Sequence, residues 1–497
     1  MGSIQYAYLF VYIFALASLF IYGMNCYILM VFYLLNYHKT IKKHEEIKEK
    51  FYKKVSSKNW PHTTIQLPIY NELYVAERLI ESVCGIDYPK NLIEIQVLDD
   101  STDDTTEIVK ATVEKMKAQG FDIDYIHRTD RTGYKAGALK EGFKSAKGEL
   151  IGIFDADFVP NSDFLKESVP YFDDPNVGMV QARWGHLNDD YSMLTRAQSM
   201  GIDGHFGVEQ ASRAWSGLFM NFNGTAGVWR KIAIEDAGGW QADTLTEDLD
   251  LSYRAQMEGW RLVFVPQVEC PAEVPVTITA FKSQQHRWAK GSIQTAKKNL
   301  GKLFKSNAPI FLKIQAFLHL THYLVHPMMI LVVLTSIPML YTRWFFQDLT
   351  YPVMIFTLFC LATFGPSSMY IFSQRILYRD WKSRIKYLPF LMCLGTGIAV
   401  NNTKAVLEAL FGIKSGFIRT PKYGIQRRQD GWKDKCYYIP LNSISIIEFF
   451  LGIYSLTGLF MFLFFSRYLI SPFLFIYSAG FFYVFFLSVK HGYGKSR

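Results

Sequence analysis

Short apolar runs alternate with amphipathic helical segments between positions 61 and 300 of the chain. Strands are expected at 63–67, 93–98, 123–126, 150–154 and 177–182. The first of these is expected to stop at Pro68, because proline cannot donate a ladder hydrogen bond. Strands that alternate with helices predict an α/β fold with a mostly parallel sheet that is covered on both faces.

Long apolar segments lie on both sides of this region. Residues 6–35 are almost uncharged and are long enough to cross a bilayer with tilt, and the basic start of a signal peptide is missing. Further spans are expected at 317–341, 351–374, 445–466 and 470–489. The segment 387–410 contains Asn401, Lys404 and Glu408 and has basic flanks on both sides. We therefore expect it to lie along the cytoplasmic face, which leaves five spans.

The charge distribution predicts the membrane topology. Positions 36–60 hold eight Lys against three Glu, so they are expected in the cytoplasm. The predicted order is an N-terminal transmembrane helix (1–36), a basic cytoplasmic linker (37–60), an α/β domain (61–300), and interfacial and transmembrane helices (301–497). This arrangement predicts a multi-pass protein of the cell membrane with an outside N-terminus, a cytoplasmic domain and an inside C-terminus. The net charge of +9 is then explained by contacts with membrane lipids, and no nucleic acid is expected as a partner.

Two carboxylates follow the apolar run at 150–154. Asp155 and Asp157 are spaced i and i+2, so they leave the predicted strand on the same side. Ligands of open α/β sheets bind beyond the carboxyl ends of strands. There the pair can hold a divalent cation, Mg²⁺ or Mn²⁺, beside a diphosphate. Alone, such a pair is more often a strand end whose acids face water.

Four other motifs are weak signals when each is taken alone. The cluster from Asp99 to Asp103 can bind a ligand or cap a helix. Lys135 lies among glycines at a predicted helix start, which suits an anionic ligand. Thr246 is a plausible N-cap, and the acids that follow it favour a first helical turn. The segment 284–288 precedes an amphipathic run at 293–311, and a tryptophan there also suits an interfacial anchor.

Together these motifs resemble the membrane-embedded family-2 glycosyltransferases, the cellulose synthase-like enzymes whose catalytic domain has the GT-A fold. The family pattern is an Asp after an early strand, then DxD, then a Thr-Glu-Asp triplet, then Q-x-x-R-W. The corresponding residues are Asp100, Asp155-Ala156-Asp157, Thr246-Glu247-Asp248 and Gln284-Gln285-His286-Arg287-Trp288. Four motifs in order at sensible spacing are a stronger signal than any one of them. The segment 222–229, Phe-Asn-Gly-Thr-Ala-Gly-Val-Trp, is similar to the mannan and glucomannan synthase branch.

The resemblance implies a role for each matching residue. Asp248 would be the general base, with Glu247 beside it. Trp288 would hold the acceptor sugar. The donor nucleotide sugar would be bound by Asp100, Lys135, Asp155, Gln284 and Arg287, and the metal by Asp155 and Asp157. Residues 417–422, inside a cytoplasmic gating loop at 411–440, resemble the family's mobile loop over the nucleotide.

The expected reaction is inverting transfer of a sugar from a UDP- or GDP-hexose to a growing β-linked glucan or mannan, with secretion of the polymer. A single base without a second carboxylate nucleophile implies direct displacement. One alternative is a glycolipid synthase that adds sugar to a membrane lipid such as diacylglycerol. Another is a membrane transporter or receptor that binds a nucleotide sugar without catalysis. The presence of Asp248 beside the donor motifs argues against the second alternative.

Overall fold

A computed structural model describes residues 3–55, 60–341, 350–414 and 419–492. Within these residues, the centre of the fold is a seven-stranded sheet with the order β3-β2-β1-β4-β6-β5-β7. The strands are β1 (Thr63–Ile69), β2 (Ile93–Asp99), β3 (Ile123–His127), β4 (Leu150–Ile153), β5 (Val177–His186), β6 (Gly227–Arg230) and β7 (Arg261–Ala272).

The sheet is mostly parallel, as predicted. β1 pairs in parallel with β2 and β4, β2 with β3, and β5 with β7, whereas β6 runs antiparallel to β4 and β5. The sequence analysis did not predict β7, whose residues Arg261–Ala272 include two prolines and several polar side chains. The carboxyl ends of β1, β2, β4, β5 and β7 therefore open at one edge of the sheet, which is where a ligand of such a sheet binds.

The expectation that β1 stops at Pro68 is wrong. Pro68 lies inside β1 and pairs with Leu98 of β2. On its other side β1 pairs with β4 only as far as Gln66. The missing N–H of Pro68 therefore costs little, because no β4 carbonyl faces that position.

Ten helices of the catalytic region and the chain before it are described. They are α1 (Ser3–Lys54), α2 (Ala76–Cys84), α3 (Thr105–Ala118), α4 (Tyr134–Ser145), α5 (Phe164–Ser168), α6 (Met193–Gly204), α7 (Gln210–Trp215), α8 (Lys231–Asp236), α9 (Glu247–Met257) and α10 (Ile278–Lys305). A π turn at His205–Glu209 joins α6 to α7, so the two helices are nearly continuous. Two apolar clusters, one containing Leu67 and Val97 and the other Ile151 and Phe264, form the core of this region.

The helices that follow form the apolar part of the chain. They are α11 (Ile310–Thr321), α12 (Val325–Leu340), α13 (Thr350–Leu377), α14 (Trp381–Arg384), α15 (Leu388–Gly397), α16 (Ala399–Leu410), α17 (Ile444–Phe464) and α18 (Ser471–Gly492). Among the described residues, five helical segments, the first of them in α1, are long and apolar enough to cross a membrane, in agreement with the predicted number. The segment that was expected to lie along the membrane surface is a pair of helices bent by 41°.

The basic segment 37–54 is helical and continues α1 without a break. Its Lys and Glu residues favour helix, and its end packs against the catalytic region. Lys48 pairs with Glu167 at 2.7 Å, and the ring of His44 lies edge-on to Tyr171 at 5.0 Å. These contacts tie the end of α1 to α5 and the residues that follow it.

Candidate active site

One cleft at the carboxyl edge of the sheet brings the predicted site residues together. Its walls include Asp100, Lys135, Asp155, Asp157, Glu247, Asp248, Gln284, Arg287 and Trp288. These residues come from five different elements and the loops after them. Their convergence is what the strand-end rule predicts, because the strands that precede most of them are parallel neighbours.

The loops after β1 and β2 form one side of the cleft. Asp100 accepts two hydrogen bonds from Arg128, one of them from Nε at 2.7 Å. The neighbouring Asp99 is fully buried and accepts from the hydroxyl of Tyr125 at 2.8 Å. Asp99 therefore supports the loop, while Asp100 lies at the cleft. The guanidinium of Arg131 stacks 3.2 Å from the centre of the Tyr70 ring and gives this side a flat cationic surface.

Lys135 lies in the first turn of α4 and contacts both β4 and the loop before β6. Its ammonium pairs with Asp155 and donates to the carbonyl of Gly224 at 2.8 Å. Burial alone would lower the pKa of Lys135, but the facing carboxylates of Asp155, Glu247 and Asp248 raise it above its usual value. Lys135 is therefore a protonated cation at the centre of the cleft.

Asp248 lies in the first turn of α9, where the helix dipole favours a carboxylate. Its Oδ1 accepts a hydrogen bond from the backbone N–H of Leu249 at 2.8 Å. Burial, and then the charge of Glu247, raise the pKa of Asp248 to about 7. A carboxylate with such a pKa is suited to take up a proton near neutral pH.

Thr246 is the N-cap residue of α9, as expected, but the expected capping hydrogen bond of its side chain is missing. Its hydroxyl instead lies 3.3 Å from the hydroxyl of Thr295 in α10. The loop before α9 is thus held by packing against α10 rather than by its own cap. A methyl group at Gly291 of α10 would lie 2.5 Å from Cγ2 of Thr246, which shows how closely the two elements approach.

Residues 419–425 contact the cleft, and Arg419, Thr420 and Lys422 are among the residues that line it. Lys422 pairs with Asp157, and Arg419 lies 3.2 Å from Glu72 and donates to the carbonyl of Tyr70 at 2.8 Å. Burial raises the pKa of Glu72 to about 8 despite the nearby Arg419. Phe417 and Ile418 of the predicted loop motif lie outside the described residues.

The Q-x-x-R-W residues lie on α10, which begins at Ile278 and not near the expected start of the amphipathic run at 293. The hydroxyl of Thr277 caps this helix by accepting from the N–H of Ala280 at 3.3 Å. The helix carries Gln284, Arg287 and Trp288 to the wall of the cleft. Trp288 faces Trp184 of β5 with ring centroids 6.5 Å apart.

The donor groups of the cleft fit a divalent cation that is shared with a diphosphate. Among the described residues, no group of three or more His, Cys, Asp or Glu side chains is arranged to hold a metal ion. Asp155 and Asp157 offer two carboxylates, and each is balanced by a lysine. Mg²⁺ is commonly bound by one or two carboxylates together with substrate phosphates and water, so two carboxylates match that chemistry.

Several cleft residues were missed by the sequence analysis. They are Glu72, Trp184, His186, Asn223 and Glu273. Glu72 and Glu273 come shortly after the ends of β1 and β7, so the strand-end rule would have found Glu273 if β7 had been predicted. His186 ends β5, four residues beyond the end that was expected for this strand.

Residues 61–291 match the family model described as "Glycosyltransferase like family 2". Together with the sheet and the cleft, this match defines the region as a glycosyltransferase family 2 domain with a GT-A-like mixed α/β core. The long apolar helices on both sides of it agree with the membrane-embedded organisation that the sequence predicted.

The curated proteins that are similar to this chain include two glucomannan 4-beta-mannosyltransferases. The chain is 46% identical over 247 residues to glucomannan 4-beta-mannosyltransferase 1 of Cyamopsis tetragonoloba, over 49% of this chain and 47% of that protein. It is 42% identical over 264 residues to glucomannan 4-beta-mannosyltransferase 2 of Arabidopsis thaliana, over 52% of this chain and 49% of that protein. The matched part spans about half the length of these relatives.

Among solved structures, the chain resembles a mannosyltransferase from Pyrobaculum calidifontis in complex with GDP-Man and Mn²⁺. The TM-score is 0.47 and the sequence identity 21%, over 78% of this chain and 99% of that one.

Proposed function

We propose that this protein is a membrane-bound, inverting hexosyltransferase. It moves a sugar, with mannose as the first candidate, from a nucleoside-diphosphate sugar to a hydroxyl of a β-linked mannan or glucan chain. The activity named for the relatives, glucomannan 4-beta-mannosyltransferase, supports mannose and a β-linked polysaccharide. The basic segment 36–60 supports a cytoplasmic catalytic domain that would draw its donor from the cytosol and contact anionic lipids.

The observation that carries the proposal is the placement of both Asp248 and Lys135 beside Gly224. A Cβ atom at position 224 would lie 2.8 Å from Oδ2 of Asp248 and 3.4 Å from Nζ of Lys135. A candidate base and a cation suited to a diphosphate thus face the same small space. Bond formation at the sugar and departure of the diphosphate both require groups in that space.

The residues of the chain divide the work of the reaction. Lys135 and Arg287 hold the diphosphate and offset the charge that develops on it as it leaves. Asp248 takes the proton of the acceptor hydroxyl as that oxygen attacks the anomeric carbon. Trp288 offers an aromatic face against which an acceptor sugar ring is oriented. Attack from the face opposite the leaving group converts an α-linked donor into a β-linked product.

A divalent cation fits beside Asp155 and Asp157, and it would neutralise negative charge on the departing phosphate oxygen. Lys422 already pairs with Asp157, so this lysine must share or leave that carboxylate when a cation binds. Residues 419–425 would then remain close to the nucleotide through the contacts of Arg419.

The test is turnover by the purified full chain in detergent or lipid nanodiscs. GDP-mannose, UDP-glucose and UDP-N-acetylglucosamine are supplied in turn with Mg²⁺ or Mn²⁺, and the released nucleotide and the product linkage are measured. We expect GDP-mannose to be consumed and a β-linked oligosaccharide to be extended. A sugar that appears only on an extracted lipid would favour a glycolipid synthase, and no consumption of any donor would overturn the proposal.

A further inference from the structure

A buried histidine–aspartate pair lines the cleft on the side of Trp288 and belongs to none of the sequence motifs. Nε2 of His186, the last residue of β5, lies 2.9 Å from Oδ1 of Asp203 in α6. The two side chains are 3% and 0% exposed, so the pair is shielded from bulk water. His186 is nevertheless among the residues that form the cleft wall.

The pair is far from the expected nucleotide side in the order of the strands. Trp184 and His186 are two residues apart in β5, and both line the cleft. Trp184 faces Trp288 with ring centroids 6.5 Å apart. Asp100 and Arg131, by contrast, follow β2 and β3 at the other end of the sheet order. His186 is thus grouped with two tryptophans rather than with the residues suited to a nucleotide.

Asp203 is held by donors from two parts of the molecule. Besides His186, it accepts hydrogen bonds from Nε2 of Gln374 in α13 at 2.8 Å and from the hydroxyl of Tyr378 at 3.2 Å. Burial alone would raise the pKa of Asp203, but His186 and then Gln374 hold it below its usual range. Asp203 is therefore an ionised acceptor, and it fixes Nε2 of His186 as the protonated nitrogen.

The imidazole has a second nitrogen that is open to a ligand. Nδ1 of His186 forms no hydrogen bond with any residue that the structure describes. With Nε2 engaged by Asp203, Nδ1 accepts a hydrogen bond when the ring is neutral and donates one when the ring is protonated. A hydroxyl group matches both cases, because it is both donor and acceptor. The pair carries no net positive charge in either case, so it does not suit a diphosphate.

We propose that His186, positioned by Asp203, binds a hydroxyl of the acceptor saccharide whose ring lies against Trp288. This inference rests on the proposed transfer reaction and adds a polar acceptor contact to it. A sugar site combines an aromatic face for the ring with planar polar groups for the hydroxyls, and the group of Trp184, Trp288 and His186 supplies both. Because Gln374 and Tyr378 also hold Asp203, α13 takes part in shaping the acceptor side.

The experiment compares His186→Phe with the unmodified full chain in nanodiscs. Phenylalanine keeps a planar ring and removes both nitrogens. Three quantities are measured: the affinity for GDP-mannose, the slow hydrolysis of the donor by water, and transfer to mannotetraose and cellotetraose. We expect the KM for the tetrasaccharide to rise about tenfold, the factor for one lost hydrogen bond, while donor affinity and hydrolysis stay within about twofold. A merely structural role would reduce hydrolysis and transfer together.

Monodeoxy acceptors identify the contact directly. Removal of the hydroxyl that His186 binds should lower acceptor affinity in the unmodified protein but should cause no further loss in His186→Phe. Asp203→Asn, which keeps the shape of the side chain and removes its charge, should show a smaller loss in the same direction. His44→Phe is the matched control, because His44 is also buried but packs on Tyr171 away from the cleft.

Binding of the tetrasaccharides in the absence of donor is monitored by tryptophan fluorescence. This measurement separates failure of the proposed function from failure of the inference about His186. If the unmodified protein consumes no nucleotide sugar, the proposed function fails, and the binding measurement still decides the role of His186. If His186→Phe binds and uses the tetrasaccharides as the unmodified protein does, the inference is overturned. An equal loss in His44→Phe, or a loss of donor hydrolysis that matches the loss of transfer, also overturns it.

Discussion

At the scale of single residues, ionisation of Asp248 has opposite effects on catalysis and on folding. Burial first, and the charge of Glu247 second, raise its pKa from 3.8 to about 7. Because the proposed base acts when ionised, kcat/KM should rise as the pH increases through about 7. A pH profile of kcat/KM for the donor measures this limb, and a rate that is flat between about pH 5 and pH 9 would contradict the assignment.

Asp248→Asn keeps the shape of the side chain and removes the base. We expect turnover to fall by about a hundred- to ten-thousandfold, and Glu247→Gln to lose less. The stability contribution of a carboxyl with a raised pKa is complete below the unfolded value of 3.8 and is lost as the pH rises through about 7. Asp248→Asn should therefore have a thermal midpoint at pH 8 no lower than the unmodified protein. Normal turnover in Asp248→Asn together with no turnover in Glu247→Gln would identify Glu247 as the base instead.

Gly224 offers a test of the space between Asp248 and Lys135. Its φ of 81° is in the left-handed region, and a Cβ there would press on Oδ2 of Asp248. We expect Gly224→Ala to lose most of its turnover. Gly217→Ala is the control, since Gly217 has φ of 68° but has open space around its Cβ position. Both variants should lose about 1 kcal/mol of folding stability, so a difference in turnover reports on the site.

The carboxylates of Asp155 and Asp157 predict dependence on a divalent cation. A chelator should abolish transfer, and an excess of Mg²⁺ or Mn²⁺ should restore it, because the cation offsets charge on the leaving diphosphate. Asp157→Ala should remove transfer without rescue by the metal. Tetrasaccharide binding should survive in this variant as a sign of correct folding. Full activity in excess chelator would mean that the two acids serve only the structure.

At the scale of elements, the contact between α10 and the loop before α9 positions the candidate base. A methyl group at Gly291 would lie 2.5 Å from Cγ2 of Thr246. We expect Gly291→Ala to displace the start of α9 and lower kcat. Gly301→Ala, in the same helix with open space around it, should raise the free energy of unfolding by up to about 1 kcal/mol and leave kcat unchanged. Unchanged kcat in Gly291→Ala would show that the loop adapts.

At the scale of the whole molecule, tertiary contacts constrain the bent segment α14–α16. Near its start, Arg384 of α14 pairs with Asp189 at 2.9 Å, and beyond its end, Arg419 pairs with Glu72 at 3.2 Å. Both ends of the segment therefore contact the catalytic domain. A helix pair that crossed the membrane once could not return to the same side, so we predict that this pair is not a sixth crossing.

We predict that the other five apolar segments cross the membrane and so place the two ends of the described chain on opposite sides. His491, near the end of α18, accepts a hydrogen bond from the N–H of Ile278 at 3.1 Å and so lies beside the catalytic domain. We predict that reporters placed after Arg497 and within the catalytic domain are active on the cytoplasmic side. Reporters before α1 and at Arg467, between α17 and α18, should be active on the other side. If the reporters at Arg467 and Arg497 were active on the same side of the membrane, they would contradict this topology.

The sequence alone predicted several of the residues that meet in the cleft, because parallel strands bring the residues after their carboxyl ends to one edge. Asp100 and Asp155 are such residues, and local apolar patterns were enough to place their strands. The same patterns determined the five apolar helices, since a bilayer requires about twenty apolar residues in each. Pro68 was misjudged because the cost of a proline depends on the neighbouring strand, which the local sequence does not specify.

Only the tertiary structure decided how distant residues are paired. Asp157 meets Lys422 from a segment that lies far along the chain, and Asp203 meets both His186 and Gln374. The hydroxyl of Thr246 bonds to Thr295 rather than to its own helix. These partners are chosen by the packing of α6, α10 and α13 against the sheet, and such packing depends on the whole set of surfaces that meet, which no local pattern of residues encodes.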